Sequence, residues 1–490
     1  MSLSVRLQPG LSKDAATANM IASDDDPIVA IATAPGRAGI GVVRVSGARI
    51  GPIAEGLLGG AAAARLQPRH ATRARFLDAN GRVIDDGIVI LYRAPNSYTG
   101  QDVLELQGHG GPTVQRMLLA RCLDAGRAIG ARLAQPGEFT RRAFLNDRID
   151  LAQAEAVADL IDASTEAAAR SASRSLTGEF SEALSQLAQR LTQARALIEA
   201  TLDFPEEDLE QIGARDVRER VQALQHSVDD VMRRARLGAV LRDGLRAALV
   251  GEPNVGKSSL LNALAGQDVA IVTPHPGTTR DRIERSVDIG GLVLNFIDTA
   301  GLRPTTDEVE RLGIDRTLAA VAESDVVVEL TDATGEAGCH PHDSHDPRLS
   351  LSAGTDWRSR IGPHASHLLV VNKVDLSGDA PGLRDGRMYV SAKTGAGLDS
   401  LRAELLRRAG WDHPPSDEGV YLARTRHLDA IARTQQHLQQ AATQLRPDGL
   451  HPELAAEELR LAGLALGEIT GPVATDDILG EIFSRFCIGK

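Results

Sequence analysis

Apolar residues at Leu184, Leu187, Leu191, Ala194, Ile198 and Leu202 step by threes and fours, which lays one continuous stripe along a helix until Pro205 stops it. A second helix is expected over residues 216–241. Leu428, Ile431, Leu438 and Leu445 resume helical spacing before Pro447, and two shorter helices fill residues 453–486. The middle of the chain reads differently. Short unbroken apolar runs, Ala247-Ala248-Leu249-Val250, residues 292–297, residues 368–371 and Met388-Tyr389-Val390, have the length and punctuation of buried strands. Towards the N-terminus, residues 28–32, 40–45, 88–92 and 103–106 read as further strands, and Asn80-Gly81 marks a hairpin turn. Neither helical flank buries its stripe alone. A single bundle assembled from both, with a compact strand-rich domain inserted in one of its loops, is the economical arrangement.

At 490 residues the chain has room for about three domains. Aromatic residues are only 3% of it, so alanine and leucine do most of the packing. Net charge is −12, which argues against a grip on nucleic acid by bulk electrostatics; any RNA contact is expected to be local or supplied by a partner. Cys122, Cys339 and Cys487 are few, odd in number and unpatterned, as in a protein with reduced thiols, and a cytoplasmic location is expected. Nothing approaches the roughly 18 consecutive apolar residues of a membrane span. Residues 1–26 are polar and lack a secretory pattern, so a disordered extension is expected there, with Met20 an alternative start to Met1. Residues 335–367 form a long Gly/His/Asp-rich insertion. Its Cys339, His340, His342 and His345 have no second ligand pair nearby in sequence, and a solvated loop is the better reading than a metal site.

The chemistry lies in the loops that follow the central strands. Gly251-Glu252-Pro253-Asn254-Val255-Gly256-Lys257-Ser258-Ser259 stands between a strand and a helical pattern, the context of a phosphate-binding loop. Backbone N–H groups cradle phosphates there, with the positive end of the helix dipole behind them. Lys257 is expected to reach the β- and γ-phosphates, and the Ser258 hydroxyl to ligate Mg²⁺. Gly277-Thr278-Thr279 supplies Thr279 as a second hydroxyl ligand, on a segment of the kind ordered by a γ-phosphate. Asp298-Thr299-Ala300-Gly301 ends another strand, placing a carboxylate near the Mg²⁺ shell and a free glycine N–H near the γ-phosphate. Asn372-Lys373-Val374-Asp375 carries a carboxylate with two acceptors, matching guanine N1–H and its exocyclic amine. Adenine would leave those acceptors unpaired at about 1–3 kcal/mol. Ser391-Ala392-Lys393 completes the base contacts. In this order, each at a strand end, the set specifies guanine. Leu302 occupies the place where many such proteins carry a water-orienting Gln, and no arginine is evidently dedicated to the transition state. Asn254 offers an oxygen for a monovalent cation beside the phosphates, and Glu308 or Glu310 a carboxylate for the attacking water.

Beyond the nucleotide motifs, five stretches carry a resemblance: Pro95-Asn96-Ser97-Tyr98-Thr99-Gly100, Glu105-Leu106-Gln107-Gly108-His109-Gly110-Gly111, Pro136-Gly137-Glu138-Phe139, Ala143-Phe144-Leu145-Asn146-Asp147-Arg148 and the terminal Phe486-Cys487-Ile488-Gly489-Lys490. With them the chain resembles the tRNA modification GTPase family MnmE (TrmE) from about Pro27 to Lys490. The resemblance implies a Ras-like P-loop GTPase domain of α/β type inserted in a discontinuous α-helical domain, preceded by an α+β folate-binding and dimerising domain. The expected boundaries are 1–26 for the extension, 27–145 for the N-terminal domain, 146–243 with 411–490 for the helical domain, and 244–410 for the GTPase domain. It further implies a homodimer working with the flavoprotein MnmG, in a heterotetramer, to install an aminomethyl or carboxymethylaminomethyl group on C5 of the wobble uridine of tRNA. A tetrahydrofolate derivative, 5-formyl or methylene, is the implied one-carbon donor. Hydrolysis is implied to be activated by K⁺ when two GTPase domains meet. By position the K⁺ ligands are Asn254, Thr273, His275 and Thr278, and the Mg²⁺ ligands Ser258 and Thr279. Glu310 and Lys257 are the catalytic pair. Pro274, Pro276 and Gly277 join the GTP contacts, and Arg44, Glu105, Arg148 and Lys490 are the folate contacts. Cys487 is a candidate nucleophile, against the alternative of a buried structural thiol.

The alternative from a different class is a GTP-dependent switch in ribosome assembly, which a basic RNA-binding appendage would favour. A purely folate-binding regulatory protein is a third, weaker against intact GTPase motifs.

Overall fold

A computed structural model of the chain describes residues 26–203, 209–252, 254–266, 283–298, 318–334, 357–362, 365–408, 410–411, 419–446, 451–471, 476–484 and 486–489. Pro205, Pro447, the extension up to residue 25 and the Cys/His-rich segment 335–356 lie outside them. Two compact units divide the chain, Met1–Glu155 with Thr470–Lys490, and Ala156–Ile469.

The first unit is built on a six-stranded sheet of order β3-β4-β5-β2-β1-β6, comprising β1 (Ile28–Ile31), β2 (Ala38–Gly47), β3 (Thr72–Leu77), β4 (Val83–Tyr92), β5 (Asp102–Gly110) and β6 (Arg132–Leu133). All pairings are antiparallel except β1 with β6. Alternation sends Val43, Val45, Val89, Leu91, Leu104 and Leu106 to one face. There they bury against Ile53 and Leu57 of α1 (Gly51–Leu58) and Leu118 and Cys122 of α2 (Pro112–Ala125). On the other face Ile28 and Ala30 pack with Ala134, Tyr98 and Phe139, the last from α3 (Glu138–Leu145). The β3–β4 hairpin forms at Asn80-Gly81, as the dipeptide suggested. Only Gly81 takes a positive φ (78°), and Asp78 Oδ1 ties the turn by accepting from the N–H groups of Asn80 and Arg82, both at 2.8 Å.

In the second unit a seven-stranded sheet runs β12-β13-β11-β10-β7-β9-β8. Its strands are β7 (Leu245–Gly251), β8 (Ile283–Ile289), β9 (Leu292–Asp298), β10 (Val326–Asp332), β11 (Ser366–Asn372), β12 (Gly382–Arg384) and β13 (Arg387–Tyr389). The five inner strands are parallel, and β8 and β12 are antiparallel edges. Parallel strands covered on both faces need apolar residues on both, which is why Ala247, Ala248, Leu249 and Val250 run unbroken and are at most 3% exposed. The chain leaves β7 for β9 on one side and returns to β10 on the other. The C-terminal end of β7 is thus a topological switch point, where such sheets bind ligands.

Within the second unit, helices from before and after that sheet in sequence pack together. The stripe at Leu184, Leu187, Leu191, Ala194 and Ile198 is at most 3% exposed on the long helix Glu179–Asp203, each side chain contributing about 1.5–3 kcal/mol. The expected second helix spans Leu209–Asp243; of the expected C-terminal helices, Thr425–Gln444 and Pro452–Thr470 lie in this unit, while Asp476–Ser484 belongs to the first. Helices from before and after the sheet interlock: Arg218 Nε donates to Leu445 O at 3.0 Å, and Gln435 Nε2 to Asp229 Oδ1 at 2.6 Å. Gly238 marks the closest approach, since a Cβ there would lie 1.7 Å from Tyr421 O. The helical domain is discontinuous, as the hydrophobic pattern implied.

Helices α1 and α2 and strands β8 and β10 were not among the expected elements. In β10 the apolar run is broken by Glu329, 4% exposed, whose carboxylate is paired with Arg358 at 2.6 Å and hydrogen-bonded to His367 Nε2 at 2.9 Å. Those partners come from distant sequence, so the residue that looks wrong for a core strand is explained only by the fold.

Candidate nucleotide-binding site

Four strand ends converge, three of them where the motifs predict. Gly251 ends β7, Asp332 ends β10 and Asn372 ends β11, with Asp332 opposite Asn372 in register; the backbone of Asp298 ends β9 opposite Leu249. The loop after β7 turns through two left-handed residues, Asn254 (φ 68°) and Gly256 (φ 99°). Asn is among the few residues that tolerate this region, and its side chain makes no hydrogen bond among the described residues. Gly256 is required for a second reason: a Cβ would sit 2.4 Å from Asn372 Nδ2. The helix Lys257–Ala265 then starts without a side-chain cap, which leaves its first N–H groups for an anion. Lys257 Nζ spans the loop mouth to Gly251 O (2.8 Å) and Glu252 O (3.0 Å), while Ser258 and Ser259 are exposed and Val255 is buried. An exposed hydroxyl one residue past that lysine fits the donor set of a Mg²⁺–phosphate site.

One buried side chain locks the base loops to the phosphate loop. Asn372, 2% exposed, donates through Nδ2 to Val255 O (2.9 Å) and accepts through Oδ1 from Ala392 N (3.0 Å). Ser391, fully buried, donates to Asp375 Oδ1 at 2.6 Å and steadies that carboxylate at the protein surface; Val374 beneath it is 4% exposed, and Lys393 is exposed.

Asp332 was not anticipated. It pairs with Lys373 at 2.5 Å and accepts from Thr334 N (2.9 Å) and Oγ1 (2.7 Å). Burial works against its charge, but Lys373 and Thr334 outweigh burial and hold the carboxyl below the usual carboxylate range. An Asp ending an apolar strand at the same sheet edge as Asp298 was the available signal. Thr273, Pro274, His275, Pro276, Gly277, Thr278, Thr279, Thr299, Ala300, Gly301, Leu302, Glu308 and Glu310 lie outside the described residues, as does the side chain of Asp298.

In the first unit, Arg44 on β2 and Glu105 on β5 face each other in register and pair at 2.9 Å, 17% and 15% exposed. The guanidinium lies 5.7 Å from the ring centroids of both Tyr98 and Phe139 and donates to Gly489 O at 3.3 Å. The terminal segment is therefore seated beside this pair. Ile488 bridges Pro136, Gly137 N donates to Cys487 O, and Gly489 (φ 101°) passes so close that a Cβ would meet Ile31 O at 2.5 Å. Arg148 is exposed beside the Gly100 turn, and Lys490 lies outside the described residues. Cys487 is a free, exposed thiol, which removes the buried structural reading.

A phosphate-loop motif at the switch point of a parallel sheet, clamped to the loops that follow β11 and β13, defines a P-loop GTPase domain of Ras-like fold. The MnmE helical domain family matches residues 151–487, and the family described as GTP-binding protein TrmE N-terminus matches residues 27–148. The chain belongs to the MnmE (TrmE) family. It is 52% identical over 483 residues to a tRNA modification GTPase MnmE of Cupriavidus pinatubonensis, covering 95% of this chain and 99% of that one. It is 53% identical to the same-named proteins of Ralstonia nicotianae (95% and 96% covered) and Burkholderia orbicola (96% and 100%). It is also similar to the solved structure of Aquifex aeolicus Era bound to GDP.AlF4-, at 27% identity over 39% of this chain and 66% of that one, with a TM-score of 0.26.

Proposed function

We propose that this chain hydrolyses GTP as the GTPase of tRNA wobble-uridine modification. The observation that carries the nucleotide half is the Asn372 clamp, which holds the phosphate loop and the Asp375 carboxylate in one frame. The tRNA half is supported by near full-length kinship with tRNA modification GTPases.

In this reading the free N–H groups of the helix at Lys257 bind the β- and γ-phosphates, and Lys257 leaves its two carbonyl partners for them. Ser258 and Thr279 hold Mg²⁺, which when bound neutralises phosphate charge. Asp375 accepts from guanine, and Lys373, pinned by Asp332, flanks the base. Glu310 orients the attacking water in place of the Gln that Leu302 excludes. Asn254, Thr273, His275 and Thr278 hold the K⁺ that supplies the charge an arginine finger gives elsewhere. That cation site is completed when the GTPase domains of two copies, residues 244–410, meet.

The N-terminal domain, residues 27–145, is the folate and dimerisation module. Glu105 offers acceptors suited to the aminopyrimidine edge of a pterin. Arg44, Arg148 and Lys490 offer cations to the folate carboxylates, and the seating of Gly489 on Arg44 supports a role for the terminus there. The exposed Cys487 is a candidate nucleophile in the same place. MnmG, the partner flavoprotein, supplies the redox chemistry in this reading. Among the described residues no helix is long and apolar enough to cross a membrane. The test is nucleoside mass spectrometry of tRNA from a deletion strain. Loss of the C5 modification, restored by this gene, is expected; intact wobble uridines would refute the tRNA assignment and leave a ribosome-assembly role open.

A further inference from the structure

The net charge of −12 is an average over two unlike parts. Residues 27–148 carry sixteen arginines and no lysine against nine carboxylates, a net +7, which leaves −19 on the remainder. Strand register gathers part of that positive charge at one end of the N-terminal sheet. Leu77 faces Val83 across the β3–β4 turn, Ile88 faces Gln107, and Ala38 faces Gly110. The turn at residues 78–82, the end of β5, the start of β2 and the first turns of α2 therefore adjoin. Gly41 confirms the last neighbour, since a Cβ there would strike Gln115 of α2 at 2.2 Å.

Arg82 sits in that turn, His109 at the end of β5, Arg37 just before β2 and Arg116 on α2, and all four are exposed. The side chains of Arg37, Arg82 and Arg116 make no hydrogen bond or ion pair among the described residues. The nearby carboxylates are engaged elsewhere. Asp78 caps its own turn, Asp85 holds His109 Nδ1 at 2.7 Å, and Asp86 takes Arg73 through two bonds of 3.0 Å with Arg75 beside it. Charge on an edge strand can serve only to prevent sheet-to-sheet pairing, which accounts for Arg73 and Arg75. It does not account for Arg37 and Arg116, which lie off the edge strand.

We propose that this end of the sheet binds the phosphodiester backbone of the RNA substrate, with Arg37, Arg82 and Arg116 as phosphate contacts. The inference rests on the reading that the substrate is tRNA. Three guanidinium groups without a partner among the described residues, spread over a turn, a strand end and a helix, suit a chain of phosphates rather than a single nucleotide.

The test is binding of an unmodified tRNA transcript to the full-length protein, followed by fluorescence anisotropy across about 50–200 mM salt. Replacing Arg37, Arg82 and Arg116 by Ala is expected to lower the slope of log affinity against log salt by about 2–3. The affinity change across that range then shrinks about 16- to 64-fold. Replacing the same three by Lys should retain the slope. The charge-matched control, Ala at Arg49, Arg65 and Arg127 at the other end of the sheet, should leave it unchanged. Equal losses in both Ala sets would mean bulk charge and overturn the proposal, as would an unaltered slope. A shift in sedimentation without a change in RNA affinity would also overturn it, assigning the surface to contact between copies. Unchanged circular dichroism and an unchanged thermal transition certify folding of the variants. A wild-type protein that restores modification in the deletion strain, yet binds RNA independently of these arginines, refutes the surface and leaves the function intact.

Discussion

Replacing Asn372 by Ala removes the side chain that joins the two halves of the nucleotide site. Its amide satisfies Val255 O at 2.9 Å and Ala392 N at 3.0 Å in a position 2% exposed to solvent. Each buried backbone group left without a partner costs about 1–3 kcal/mol, so the upper bound is about 6 kcal/mol. The cavity left by the amide opens towards a polar site, where water can enter and recover part of that cost. A loss of about 2–4 kcal/mol is therefore expected in nucleotide binding, or about 30- to 1000-fold in affinity. Titration of a fluorescent GDP analogue at fixed Mg²⁺ measures it directly. Asn372→Asp sharpens the argument: it keeps an acceptor for Ala392 N but turns a second oxygen onto the Val255 carbonyl, so it should bind no better than the Ala variant. Affinity within about threefold of wild type for Asn372→Ala, in a protein with unchanged circular dichroism, would show that the loops hold their places without the clamp.

Asp375→Asn should shift preference from GTP towards xanthosine triphosphate, because an amide can donate to the altered base edge; unchanged GTP affinity without a xanthosine gain would remove Asp375 from the base site. GTP turnover should be far faster in K⁺ than in Na⁺ at constant ionic strength, and Asn254→Lys should lose that dependence; equal rates in the two salts would end the cation argument. Glu310→Ala should cut the catalytic rate strongly with nucleotide affinity nearly unchanged, the signature of a contact made only in the transition state, whereas lost affinity with preserved turnover would make it structural. Deleting residues 486–490 removes Gly489 from Arg44 and Ile488 from Pro136, so tetrahydrofolate binding and tRNA modification should be lost while GTP hydrolysis largely persists; modification at the wild-type rate would separate the terminus from the active centre.

What could be read from the sequence alone is what neighbouring residues decide among themselves. The long helices follow from a period of three to four, and the loop from Gly251 to Lys257 follows from residues that tolerate or require left-handed backbone. The proposal of guanine rests on the carboxylate of Asp375, because such a recognition is one side chain against one base edge. The pairing of the two helical flanks was also legible, since each carries a stripe it cannot bury alone.

Tertiary structure decided whatever depends on a partner distant in sequence. Asp332 reads as a polar residue closing a strand until parallel register sets it against Asn372 and Lys373. Glu329 reads as a flaw in a core strand until Arg358 arrives as its ion-pair partner and His367 as its hydrogen-bond partner. Asn372 is recognisable as part of a motif, but its grip on Val255, across the sheet, is not. The three free arginines lie far apart along the chain and meet only through strand pairing. A sequence pattern records local conformational preference and burial, whereas a hydrogen bond or a charge pair is set by distance in space; that distance exists only once the strands have chosen their neighbours.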